Sequence, residues 1–208
     1  MEYLPEGPFD LIVADPPWSH KAWSDRGLGR APARHYKVQP LEWICSLPVA
    51  EASARDAHLM LWITGPHLAQ GCHLAVLDAW GFKASSIGFV WAKPLPKMMQ
   101  SRLFAEPLTA EDFFMSLGHT TRQNAEFVIL GRKGKPKRHS RSVRQLLIEP
   151  RREHSRKPED FYAAAEAYAG AAARKLELFP RTRRPGWECW GDQIDHFAFE
   201  EDRRKKAA

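Results

Sequence analysis

The run Phe9 to Ala14, FDLIVA, is short, apolar and β-branched, and it stops against Asp15-Pro16-Pro17-Trp18. Two consecutive prolines have no N–H to give a sheet ladder, so a buried strand must end there and release the chain into a loop. Other strand-length apolar runs follow: His58 to Thr64 (HLMLWIT), Ser85 to Lys93 (SSIGFVWAK), Glu126 to Gly131, Val143 to Glu149 and Leu176 to Phe179. Between them lie segments of helical character. Leu41 to Arg55 reads as an amphipathic helix despite Pro48, a second helix runs from Gly65-Pro66 to Trp80 with Gly81 as its stop, and a short one covers Glu111 to Ser116. KPEDFYAAAEAYAG, from Lys157 to Gly170, carries acids in its first turn and a terminal glycine. Strands alternating with helices predict an α/β fold with a mostly parallel sheet flanked by helices, and ligands at the carboxyl ends of the strands.

The segments 19–40 and 94–121 show no period and read as long loops, the kind that usually carries function. The 208 residues suit one domain, expected over 1–199, followed by a charged, frayed tail over 200–208. No run approaches the roughly 18 apolar residues of a membrane span, and MEYLPEGPFDL lacks a signal-peptide layout, so a cytoplasmic protein is expected. Cys45, Cys72 and Cys189 are odd in number and far apart, which suggests neither a disulfide framework nor a zinc cluster. His58, His67 and His73 have no ligand spacing, so no metal is expected. The formal charge is +6, and its distribution matters more than its size. Arg132, Lys133, Lys135, Lys137, Arg138, Arg141, Arg144, Arg151, Arg152, Arg156 and Lys157 face only Glu149 and Glu153 in one stretch. That stretch is either a solvated face or a phosphate-binding one flanking the active site.

Asp15-Pro16-Pro17-Trp18 offers a carboxylate, rigid carbonyl acceptors and a flat aromatic face at one strand end. An exocyclic amino group on an extruded nucleobase has two N–H donors and a planar ring, so Asp15 and the Pro16 carbonyl can accept while Trp18 stacks. Trp62, Trp80, Trp91, Trp187 and Trp190 sit among apolar residues or at strand edges and read mostly as core. No GxGxxG is present to hold a dinucleotide.

The sequence resembles the DPPW-type adenine N6-methyltransferases. The shared blocks are ADPPW at Ala14 to Trp18, LWIT at Leu61, WGF at Trp80, VWAK at Val90, EFVILGRKG at Glu126, REHSRKPEDFY at Arg152 and KLELFPRTRRPGWECWGDQ at Lys175. This resemblance implies a Rossmann-like S-adenosylmethionine-dependent fold, circularly permuted so that the target motif precedes the cofactor motif. It implies Asp15, Pro16, Pro17 and Trp18 as catalytic residues. For the cofactor it implies Asp15, Lys157, Arg181, Arg183, Asp192 and Gln193; for the substrate, Trp18, His35, Tyr36, Lys93, Glu126, His154 and Ser155. The family's Asn and His stand here as Asp192 and Arg183, and an aspartate placed well upstream of the motif has no expected counterpart, since only 14 residues precede Asp15.

Methyl transfer to the N6 of adenine in nucleic acid is the implied reaction, DNA being the first choice and RNA the second. A non-catalytic nucleic-acid-binding or scaffold relative of the same fold is the competing class, and a homodimer or a partner subunit is compatible with either.

Overall fold

The computed structural model describes residues 3–19, 38–99, 109–116, 121–153 and 155–197. Seven strands form one sheet: β1 (Phe9–Ala14), β2 (Ser53–Ile63), β3 (Lys83–Ala92), β4 (Ala125–Lys133), β5 (Leu146–Ile148), β6 (Lys175–Leu178) and β7 (Glu188–Trp190). Their order across the sheet is β5-β3-β4-β2-β1-β6-β7. β1 lies at its centre, parallel to both β2 and β6, which is why five of its six residues are buried.

Four of the six strand pairings are parallel, as the alternation of elements predicts, but β4 runs antiparallel to both β2 and β3. That reversal places the first residues of β4 beside the last of β2 (Ile63 opposite Phe127) and the last of β4 beside the middle of β2 (Ala57 opposite Lys133). Glu126 is thereby brought to the edge where β1 ends, and Arg132 is carried to the opposite edge.

Along β2 the side chains alternate between two cores with the period of a strand. Leu59, Leu61 and Ile63 pack with Ile12, Val76, Leu77 and Trp80 beneath the helices α1 (Leu41–Cys45), α2 (Val49–Ala52) and α4 (Cys72–Ala79). Met60 and Trp62 pack with Val13, Phe89 and Phe161 beneath α5 (Glu159–Ala169). Trp62, Trp80, Trp91 and Trp187 are all buried, as the sequence suggests.

Local departures from the sequence reading have plain causes. The helix expected over Leu41 to Arg55 is interrupted at Pro48, which has no N–H for a helical bond, and leaves α1 and α2. Gly71, at φ 74°, divides the next helix into α3 (Gly65–Ala69) and α4, while Gly81 at φ 75° ends α4 in the left-handed conformation expected of a stop. The short helix expected over Glu111 to Ser116 is a single 3₁₀ turn, Ala110–Asp112, capped reciprocally by Thr109 and Asp112. β2 starts at Ser53 rather than His58, because Ser53 to Asp56 are too polar to extend the apolar run. β7 escaped the sequence reading altogether, being three residues, none of them fully buried.

Phe161 is the aromatic hub beneath α5. It is fully buried, and its ring meets Trp62, Tyr162 and Phe89 edge-on at 4.8, 5.2 and 5.4 Å. Phe161→Ala is expected to lower the unfolding free energy by about 3–5 kcal/mol, read as a lower urea midpoint at unchanged m-value.

Candidate active site

Asp15 follows β1, Glu126 opens β4, Lys93 follows β3 and Lys157 precedes Pro158, the extended N-cap of α5. These four positions converge at one edge of the sheet. Lys157 Nζ lies 2.9 Å from Asp15 Oδ2 and 3.0 Å from Glu126 Oε2, and the other Glu126 oxygen is 2.5 Å from Lys93 Nζ. The result is a continuous chain of alternating charge. Its two ammonium groups rest over tryptophan rings, Lys157 over Trp62 at 4.9 Å and Lys93 over Trp91 at 4.5 Å.

The chain sets the protonation of its members. Burial disfavours the Glu126 carboxylate, but the ammonium groups of Lys157 and Lys93 outweigh it and hold the group down to about 2. Burial raises Asp15, and the Lys157 charge only partly offsets this because Glu126 repels it as well. Lys157 is itself held well above the usual lysine range, since two carboxylates overcome its desolvation.

Beside Asp15 a cleft opens between Lys157, Tyr162, Glu177, Phe179 and Arg181, with Ser155 also on its wall. Two of these residues, Ser155 at φ 62° and Phe179 at φ 64°, hold the left-handed backbone conformation that side chains disfavour. They are the two non-glycine residues of that kind among those described, and both border the cleft.

Glu177, in the middle of β6, is 4% exposed. One of its oxygens accepts from the Tyr162 hydroxyl at 2.6 Å, and the other is buried without a partner. Burial pushes its carboxyl up to about 7. Arg184 lies over the Tyr162 ring at 3.5 Å and is paired with Glu159, which also binds Arg152. Sequence reasoning passed over Glu177, Tyr162 and Arg184. The available signal was the glutamate itself, since a carboxylate in a four-residue strand that is otherwise Lys-Leu-Leu has no packing reason to be there.

The structure brings several of the expected site residues together. Asp15, Lys93, Glu126 and Lys157 form the charged chain, while Ser155 and Arg181 line the cleft. Asp192 and Gln193 occupy the turn after β7, at the same edge of the sheet and two strands from Asp15. His35, Tyr36 and His154 lie outside the described residues.

Others are corrected. Trp18 offers no open stacking face: it is 4% exposed, its N–H donates to the Trp62 carbonyl at 3.2 Å and its ring stacks on His67 at 5.2 Å. The Pro16 carbonyl already accepts the Trp18 N–H at 2.8 Å, and the Pro17 carbonyl accepts Gln39 N–H at 2.8 Å, so each has one lone pair left to offer. Arg183 points away from the cleft and pairs with Asp195 in solvent at 2.8 Å, because neighbouring side chains diverge and Arg184 takes the inward direction.

The basic stretch is corrected too. Antiparallel β4 takes Arg132 and Lys133 away from the site, Lys133 bonds the Ala50 carbonyl and Ser53, and Arg152 and Arg156 are paired with Glu149, Glu153 and Glu159. Of this stretch, Lys157 alone joins the charged chain.

A family model described as MT-A70 matches residues 9–193. The chain belongs to the MT-A70 family. Among the similar proteins is the type II methyltransferase M.MunI of a Mycoplasma species, 30% identical over 92% of this chain and 80% of its own length. The N6-methyladenosine RNA methyltransferase MTA1 of Cryphonectria parasitica is 27% identical over 91% of this chain and 52% of its own. The human N(6)-adenosine-methyltransferase catalytic subunit METTL3 is 25% identical over 91% of this chain but only 29% of its own length. This MT-A70 chain thus spans most of the first relative and about a third to a half of the other two. Methyltransferases of the family use S-adenosylmethionine as donor. The residues present suit such a ligand, whose cationic end calls for buried carboxylate oxygens of the kind Glu177 leaves unpartnered at the cleft wall. Among the described residues no His, Cys, Asp and Glu group is arranged to hold a metal, and no helix is long and apolar enough to cross a membrane.

Removing the shared cation is the direct test of the chain of charges. Lys157→Met leaves Asp15 and Glu126 facing each other with no ammonium between them, and an expected loss of about 3–5 kcal/mol at pH 7. Glu126 is held down, so its pairing stabilises the fold above its ordinary value of 4.5 and is lost as the pH falls towards about 2. The difference between wild type and variant, measured by urea unfolding, should therefore shrink across that same window.

Proposed function

We propose that this chain transfers a methyl group to the N6 amino group of adenine in nucleic acid, with DNA as the substrate. The observation that carries this reading is Asp15, held at a strand end with one carboxylate oxygen fixed by Lys157 and the other left to accept. S-adenosylmethionine supplies, when bound, a methyl group on a positively charged sulfur.

The adenine N6 lone pair is delocalised into the ring and is a poor nucleophile. Asp15 accepts one N6 proton, and the remaining lone pair of the Pro16 carbonyl accepts the other, which draws the nitrogen towards a tetrahedral shape. As the new N–C bond forms, positive charge develops on N6, and the Asp15 carboxylate stabilises it in place. The proton then has a defined acceptor in Asp15, whose buried carboxyl is already raised above its ordinary value. Lys157 fixes the Asp15 rotamer, and Glu126 and Lys93 fix Lys157. Arg181 and Glu177 face the donor across the cleft, while Asp192 and Gln193 are placed to reach its adenosine. Tyr36, His35, His154 and Ser155 are carried on the substrate side by the family likeness alone.

DNA is preferred because the type II methyltransferase is the relative whose length this chain nearly fills, whereas the N6-adenosine relatives contain much besides the shared region. RNA is the second reading and rests on those relatives. A homodimer or a second subunit is the proposed assembly, by analogy with a relative named as a catalytic subunit.

Asp15→Asn keeps the shape and removes the charge. Methyl transfer should fall by at least about 10²–10³-fold while donor binding, followed by isothermal titration calorimetry, stays within a few-fold; a variant of normal activity would end the mechanism. Tritiated donor incubated with separate DNA and RNA pools decides the substrate: label in DNA is the expected result, label in RNA alone selects the second reading, and donor binding without label in either points to the scaffold class.

A further inference from the structure

At the opposite edge of the sheet, on the α5 side, lies a groove of about 430 Å³. Its floor is apolar, made by Met60, Phe89 and Leu130, and its wall carries His58, Arg132 and Arg138. The groove exists because α5 covers only part of that face. Beyond it the segment after β4 takes the place of a second helix, and this segment is anchored: His139 N–H donates to the Tyr168 carbonyl at 2.9 Å, Gln145 donates to the Ile87 carbonyl at 2.6 Å, and the Lys137 carbonyl meets His58 Nε2 at 3.2 Å. From Glu126 to Arg132 is six residues of β4, about 20 Å at strand rise, so this groove is separate from the methyl-transfer cleft.

Three features of its polar groups point to a ligand. The Arg132 and Arg138 guanidiniums are exposed on the wall of the groove and have no ion-pair or hydrogen-bond partner among the described residues. No aspartate or glutamate lines the groove. His58 is 2% exposed, packs against the Tyr168 ring at 4.9 Å, and spends Nε2 on Lys137 while Nδ1 is buried with no partner at all. With the ring proton on Nε2, Nδ1 is an acceptor waiting for a donor.

We infer that this groove binds a nucleotide: its phosphate between Arg132 and Arg138, a sugar hydroxyl to His58 Nδ1 and the base on the apolar floor. Two guanidiniums match phosphate oxygens with several N–H donors each, and an apolar floor with few convergent polar groups is the usual form of a small-molecule site. The volume also falls within the ~300–1,000 Å³ such sites occupy. The same chemistry is presented by a free nucleotide and by one nucleotide of a strand passing over this face. The inference does not depend on the methyl-transfer reading.

Uridine 5′-monophosphate is the probe, because it lacks the adenine that the methyl-transfer cleft would take. Titrated into the full chain labelled with ¹⁵N-histidine, it should shift the His58 ring signals saturably. Arg132→Gln together with Arg138→Gln should weaken that binding at least tenfold, leave the melting temperature unchanged, since neither guanidinium has a partner to lose, and leave methyl transfer unaltered. A single-stranded oligouridylate run alongside separates the sources. If it saturates the same shift at lower concentration, the site takes a strand, and if the mononucleotide does, the site takes a free nucleotide. Absence of a saturable His58 shift with both probes, or equal binding by the double variant, overturns the inference.

Discussion

One ammonium group between two carboxylates organises the edge of the sheet that carries the candidate active site. Lys157 stands where Asp15 and Glu126 would otherwise repel each other, and Glu126 in turn spends its second oxygen on Lys93. Each side chain comes from a different element, so the ion chain also ties together β1, β3, β4 and the start of α5. Its members are only partly exposed, which lets the attractions act with little screening. Pairing of this kind is weak evidence for net stability but strong evidence for fixed geometry, because every alternative leaves a charge uncompensated.

The backbone arrangement beneath it follows from the antiparallel course of β4. A parallel strand in that place would deliver its first residues to the other edge, and Glu126 would lie a strand length from Asp15. The same reversal sends Arg132 to the far edge, where it enters the wall of a separate groove rather than the mouth of the cleft beside Asp15. A single choice of strand direction therefore divides one basic-looking stretch of sequence between two locations with different neighbours.

Much of this was legible in the sequence. The buried strand ending at Asp15-Pro16, the glycine stop at Gly81, the acidic first turn of α5 and the core tryptophans follow from short-range rules that tertiary packing had no reason to override. The convergence of Asp15, Lys93, Glu126 and Lys157 was legible through family likeness, since residues that far apart in sequence carry no local sign of their meeting. What was missed had specific causes. Strand direction is decided by partners, so the reversed β4 and its effect on the basic stretch could not be read from its own residues. Trp18 looked like an exposed platform because an aromatic after two prolines has the same sequence whether the loop turns it out or folds it in. Arg183 and Arg184 are adjacent and chemically identical, and only the backbone direction after β6 decides which faces the cleft. Glu177 was the readable omission, a carboxylate in a strand with no other polar residue between its ends.

The four charges of the ion chain sum to zero. In the proposed reaction a nucleobase reaching Asp15 therefore meets a centre with strong local direction and almost no long-range field, the electrical counterpart of a dipole array rather than of a charged patch. Under that proposal, attraction for a polyanionic strand and alignment of the reacting amino group belong to different parts of the surface, and salt screens the first while the second stays as it is.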